Sequence, residues 1–198
     1  MRTISIMPIV QKEEPILRGK AKQVPIAEIT QDRIKGIISN MKRLLEKEQD
    51  GVAIAAPQIG EPLAIFVVSH RVFDILEDAS EIENENIELK KSGKTKKARD
   101  LVFINPEISK LSRKKEWMEE GCLSVRWLYG KVARATKAKI TAYNEHGIKF
   151  ELGASGLLAQ VFQHEYDHLH GVLFIDKAKD VHELPSDEIE RIKGKEND

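Results

Sequence analysis

The 198-residue chain has a single cysteine, Cys122. An internal disulfide is therefore excluded, which agrees with a reducing compartment and leaves the thiol three roles: a buried apolar residue, a metal ligand or a nucleophile. Net charge is lacking too, since 32 Lys and Arg balance 32 Asp and Glu. No overall field draws the chain to nucleic acid or to a membrane surface, and no direct nucleic-acid motif is found. Long apolar runs are missing, with nothing near the ~20 residues of a membrane span. The first residues, MRTISIMPIVQKEEPILRG, carry neither the apolar block and cleavage site of a signal peptide nor the acid-poor, Ser-rich character of a transit peptide. A cytoplasm of the bacterial type is expected. There is no internal repeat and no second core, so the length suits one globular domain.

What is present begins with a helix from about Thr30. Ile34, Ile37, Ile38, Met41, Leu44 and Leu45 recur at three- and four-residue steps, which puts them on one face, and Gly51 is the expected stop. GVAIAAPQIGEP then brings small residues, where backbone approaches something closely, before LAIFVVS reads as a strand. Residues 74–100 are acidic first and basic last with few apolar anchors, and read as an exposed insert with a long hairpin around KSGK. LVFINPEIS re-enters the core, and the segment through KITAYNEHGIKFEL alternates like antiparallel strands, with NEHG as a hairpin turn. Ser155 suits the start of a second helix, GLLAQVFQHEYDHLH, and Gly171 its left-handed end. VLFID reads as a short strand, and residues 179–198 as a charged tail, part helical.

On the second helix His164 and His168 stand one turn apart, so both rings can reach one cation, and Glu165 lies between them where a metal-activated water could sit. The same spacing also arises by chance on a solvated helix face. A catalytic ion needs a third protein ligand and an open position. Downstream the chain offers only His182 and Glu183; upstream it offers Cys122 within EEGCLS, whose thiolate would complete a Cys-His-His set. His170 lies off the stripe of Leu157, Val161, His164 and His168 and reads as a surface residue.

Three segments, GVAIAAPQ (51–58), EGCLS (120–124) and QHEYDH (163–168), together resemble the peptide deformylases, in that family's order. EPILR (14–18) and FINPEI (103–108) extend the resemblance from about Met7 to Asp176. It implies an α+β fold, mostly antiparallel sheets packed around a central metal-binding helix, with an additional N-terminal helix. Residues 1–178 would form the single catalytic domain. It also implies that Cys122, His164 and His168 bind one divalent metal ion, with Fe2+ favoured and Zn2+ or Ni2+ as alternatives. Glu165 would carry the proton, while the Gln58 side chain and the Leu123 N–H would stabilise the oxyanion. The implied reaction removes the N-formyl group from the formylmethionine of nascent polypeptides and releases formate. The peptide would lie as an added strand between the backbone of Val52, Ala53 and Ile54 and that of Val125 to Trp127. Val52, Met118, Glu120, Leu123, Leu157 and Val161 would line the methionine pocket with the His164 ring. A transient ribosome contact follows from such a substrate, and the oligomeric state is left open.

The chain departs from the family pattern in three places. Ala53 stands where the first motif has its second glycine, so either the backbone there keeps a negative φ or the added Cβ narrows the cleft. Arg126 and Trp127 follow EGCLSV where proline is frequent, and the insert is long. Two other activities use some of the same parts: a deformylase-like protein that binds peptide with weak turnover, and a metallopeptidase with a ligand after the helix.

Overall fold

The computed structural model describes residues 8–48, 50–75, 82–83 and 99–196. Helix α1 spans Asp32–Lys47, and its six periodic apolar residues are all buried. Asp32 in its first turn and Lys47 in its last complement the helix dipole. It stops before Gly51 because Arg71 supplies donors to the chain's carbonyls there: its guanidinium bonds Leu45 O, Glu48 O at 2.9 Å and Gly51 O at 2.7 Å. Strand β1 is Ala53–Ala55, followed by a 3-10 turn at Ala56–Ile59, strand β2 at Ile65–Val68 and the short helix α2 at Arg71–Ile75.

Strands β3 (Ile82–Glu83), β4 (Leu101–Leu111), β5 (Lys115–Gly121), β6 (Leu128–Ala135), β7 (Lys137–Tyr143) and β8 (Lys149–Ser155) follow. After them come helix α3 (Gly156–Leu169), strand β9 (Lys179–Glu183) and helix α4 (Ser186–Glu196). Six strands form one sheet in the order β1-β2-β4-β7-β8-β3, and three form another in the order β5-β6-β9. Every strand pair is antiparallel, so the architecture is α+β. Among the described residues no helix is long and apolar enough to cross a membrane. The hairpin expected around KSGK lies outside the described residues.

The large sheet is covered on both faces, which explains why β2 is a continuous apolar run. Ile65 and Val67 pack with Val102, Ile104 and the apolar face of α1, whereas Phe66 and Val68 pack with Phe103 and with Leu158 and Phe162 of α3. Phe66 and Phe103 stack at 4.4 Å, and Phe162 meets Phe103 edge-on at 5.2 Å. The turn at 144–148 is the expected one: Asn144 Oδ1 accepts from the N–H groups of His146 and Ile148, and Gly147 takes a φ of 74°.

Helix α3 begins directly after Ser155, and past its end Gly171 has a φ of 74°. A Cβ there would also lie 2.5 Å from Arg18 O, so glycine is required twice. VLFID differs from expectation: Phe174–Asp176 is a 3-10 turn, not a strand. Leu173 and Phe174 are buried against Leu17, Val125 and Val132, and the Asp176 carboxylate accepts the Leu173 N–H at 2.9 Å. That local bond closes a turn where a strand would have needed a neighbour. Nor are residues 179–183 loosely held, since β9 pairs with the free edge of β6.

Candidate functional site

Strand β1 ends the large sheet and β5 ends the small one. A cleft runs between the chain after α1 and the segment leaving β5, with the N-terminal half of α3 as its floor. Val52, Ala53, Gln58, Glu120, Cys122, Leu123, Leu157, Val161, His164 and Glu165 all line it. Ile54, Met118 and His168 are not among its lining residues. Ile54 is fully buried and its side chain faces α1, because β1 alternates, so only its backbone is available to the cleft. Met118 lies three residues back along β5, opposite Val132, outside the lining. Ala53 has ordinary strand backbone, paired with Val68 and without a positive φ. Its methyl group therefore costs no backbone strain and sits on the cleft wall.

Cys122 follows β5 directly, and its Sγ lies 3.2 Å from His168 Nε2. The ligand atoms of Cys122, His164 and His168 lie within 4.8 Å of one another, the one such group of three His, Cys, Asp or Glu among the described residues. A thiolate with two imidazoles suits zinc, iron or nickel. His164 Nδ1 is held by Glu120 Oε2 at 2.9 Å, which leaves Nε2 free to face the cysteine. His182 and Glu183, the downstream alternatives, lie on β9 beside Leu128 and Tyr129, apart from this group.

Behind His164 stands a buried charge network. Arg134 clamps Glu120 through Nε at 2.7 Å and Nη2 at 3.0 Å and reaches Asp167 with Nη1 at 2.7 Å. Burial alone would raise the Glu120 carboxyl, but the bonds from Arg134 and His164 outweigh it and bring its pKa down to about 2. Arg134 was not singled out in the sequence, although KVARATKA places a charge at an inward position of an alternating strand, and that was a usable signal. Gln163 ties α3 to β6 by accepting from Ala135 N–H at 3.0 Å and donating to Ala135 O at 2.9 Å.

Glu165 is 3% exposed, and its Oε2 has no partner among the described residues. Burial pushes its carboxyl up to about 7 against the lowering influence of His164, which puts it in the range where a group both takes and returns a proton at neutral pH. Burial likewise pushes the His168 ring well below its ordinary value, keeping it the neutral imidazole a metal needs. Gln58 is 1% exposed: its Oε1 accepts the Ala55 N–H at 2.7 Å, so its Nε2 is aimed outward, toward Ser124 Oγ at 3.2 Å and Cys122 Sγ at 3.5 Å. Ser124, the last residue of the EGCLS segment, is the acceptor that helps hold that amide.

Comparison with known proteins matches residues 6–183 to the family model described as Polypeptide deformylase. The peptide deformylase of Halothermothrix orenii is 39% identical over 175 residues, covering 87% of this chain and 95% of that protein. A chloroplastic peptide deformylase 1A of Solanum lycopersicum is 38% identical over 175 residues, covering 85% of this chain, and this chain spans 58% of that longer relative. Among solved structures, the Met-Ala-Ser-bound class I type b peptide deformylase of Acinetobacter baumannii superposes with a TM-score of 0.69 at 28% identity, covering 87% of this chain and 99% of that one. With its helix histidines, strand-end cysteine and intervening glutamate gathered in one cleft, the chain belongs to the polypeptide deformylase family.

Proposed function

We propose that this chain hydrolyses the N-formyl group of the N-terminal formylmethionine of newly made polypeptides, releasing formate and a free amino terminus. The observation that carries the reading is Glu165, buried in the cleft that Cys122 and His164 also line, with an Oε2 that has no partner among the described residues, beside the Cys122, His164 and His168 donor set. Cys122, His164 and His168 would hold one divalent ion, ferrous iron in preference to zinc or nickel; when bound it acidifies water and polarises the formyl carbonyl.

The chain's own residues do the rest. The Glu165 carboxylate takes a proton from water as oxygen adds to the formyl carbon and then returns one to the amine, so the carbon–nitrogen bond breaks after the new carbon–oxygen bond has formed. Gln58 Nε2 and the Leu123 N–H donate to the oxygen that gains charge. Glu120, clamped by Arg134, keeps the His164 ring turned. The peptide pairs along β1 as an added strand, so main-chain bonds tolerate many sequences while Leu157, Val161 and Leu123 receive the methionine side chain. The Met-Ala-Ser bound to the Acinetobacter baumannii relative supports a methionine-first peptide.

Residues 1–178 act as the catalytic domain and 179–198 as an appended charged segment, in a cytoplasm of the bacterial type. A transient ribosome contact through that segment belongs to the same reading, and salt-dependent cosedimentation tests it. The activity is tested by formate release from formyl-Met-Ala beside cleavage of an unblocked peptide, in wild type and Glu165→Ala. Release should fall at least ~100-fold in the variant, and metal-loaded wild type that releases no formate refutes the reading. Anaerobic protein should turn over faster than aerobic zinc-loaded protein; equal rates remove the preference for iron.

A further inference from the structure

We propose that strand β9 is a positioning element of the peptide cleft, which holds the Trp127–Tyr129 wall in place for the substrate residues that follow the methionine. The proposal rests on the deformylase reading and adds a role for the C-terminal segment. Trp127, Leu128 and Tyr129 line the cleft. Trp127 precedes β6 while Leu128 and Tyr129 open it, and the strand's other neighbour, β5, ends at Gly121 opposite Tyr129. Unsupported, such a strand end frays.

Beside the Arg126 guanidinium 4.6 Å over the Trp127 ring and the Leu128 N–H bond to Val125 O at 3.1 Å, β9 holds this segment through main chain. It pairs Glu183 with Leu128 and His182 with Tyr129, and beyond the strand the Leu184 N–H donates to Trp127 O at 3.0 Å. The two strands meet closely at Gly130, where a Cβ would lie 3.1 Å from Ala178 Cβ and 3.2 Å from both Lys179 O and Val181 Cγ2. Tyr129 is pinned from the other side as well, its ring packed so tightly over Gly121 that a Cβ there would come within 2.5 Å of it. The His182 ring lies 6.5 Å from the Tyr129 ring, and His182 Nε2 is 3.6 Å from Glu119, another cleft residue.

All five β9 side chains are exposed. The strand therefore buries no core of its own, and its structural contribution is the ladder it adds to β6. This separates the proposal from a general stabilising role. Loosening β9 should weaken the grip on a peptide long enough to reach the wall and leave the chemistry at the formyl group alone.

The test uses the full-length metal-loaded chain with Leu184→Pro, which removes the N–H to Trp127 O, and Leu184→Ala, which keeps it. KM and kcat are measured for formyl-Met-Ala and for formyl-Met-Ala-Ser-Lys, and binding of the peptide Met-Ala-Ser-Lys is measured by calorimetry. Leu184→Pro should raise KM for the longer substrate by about fivefold and weaken peptide binding equally, the scale of one lost hydrogen bond. Its kcat, and KM for the short substrate, should stay within about twofold of wild type, with Leu184→Ala unchanged throughout. Equal changes on both substrates, or none on the longer one, overturn the proposal. If Leu184→Pro loses its melting transition, Gly130→Ala crowds the same joint from β6 and must give the same split between substrates. Wild type that neither deformylates nor binds the peptide refutes the deformylase reading instead, and hydrogen exchange of the 127–129 amides, faster in Leu184→Pro if β9 holds them, judges the proposal independently of turnover.

Discussion

Replacing Arg134 with methionine should be the most damaging single change outside the metal ligands. The guanidinium is 4% exposed and makes three charge-assisted bonds, two to Glu120 and one to Asp167. Asp167 keeps a partner in Lys177, with both oxygens 2.7 Å from Nζ. Among the described residues Glu120, 5% exposed, would keep only His164 and a long 3.5 Å contact from Gln160 Nε2. Removing one partner of a buried pair strands the other charge and costs about 3–5 kcal/mol. For a chain of this size that corresponds to a melting temperature lower by roughly 6–20 °C. Glu120 also turns the His164 ring, so metal affinity should fall by about 10- to 100-fold. Thermal unfolding followed by circular dichroism, together with chelator competition, measures both. Removing the stranded charge as well, in Glu120→Gln/Arg134→Met, should recover part of the lost stability without restoring metal affinity. A melting temperature within about 2 °C of wild type and unchanged metal retention in Arg134→Met would refute the argument.

Two further perturbations test the frame around the site. Gly171→Ala places a methyl group 2.5 Å from Arg18 O at a φ of 74° and should destabilise the chain by about 1–3 kcal/mol; a melting curve equal to that of wild type contradicts it. Asp176→Asn tests the cap at Leu173. Burial raises the Asp176 carboxyl, but the Arg18 bond and the Leu173 N–H outweigh it, so its folded pKa lies below the ordinary value. The stabilisation it contributes is thus present above the ordinary carboxylate range and is lost as the pH falls through the folded pKa. The variant should be less stable at pH 7 by at most about 1 kcal/mol, with the difference vanishing in acid; a difference that grows on acidification would reverse the sign.

Much of this molecule is legible before any coordinates. The six-residue apolar stripe of α1, the unbroken run of β2, the alternation around Ile140 and the NEHG turn all report local geometry, because side-chain direction repeats every 3.6 residues in a helix and every second residue in a strand. Short pieces failed where local and tertiary demands compete. VLFID has a strand's composition yet closes as a turn, because Asp176 satisfies its own backbone and Phe174 finds a pocket. Residues 179–183 look like tail, since none of their side chains is buried, and only the free edge of β6 makes them a strand.

For the site the division is sharper. His164, Glu165 and His168 share a helix turn, so their cooperation is written in spacing alone, and three ordered motifs carry the family. What spacing cannot contain is any contact between distant segments: Cys122 Sγ at 3.2 Å from His168 across 46 positions, Gln58 aimed by the Ala55 N–H toward that sulfur, and Arg134 holding Glu120 so that Glu120 holds His164. Which face of a strand meets the cleft is likewise beyond a motif: Ile54 turns its side chain toward α1 and offers the cleft only its backbone, and Met118 lies outside the lining. The periodic elements and the chemical identity of the donors follow from residue order alone, because they are local properties. Burial, the raised carboxyl of Glu165 and the wall held by β9 were decided only by the tertiary structure, because each depends on what the folded chain brings alongside.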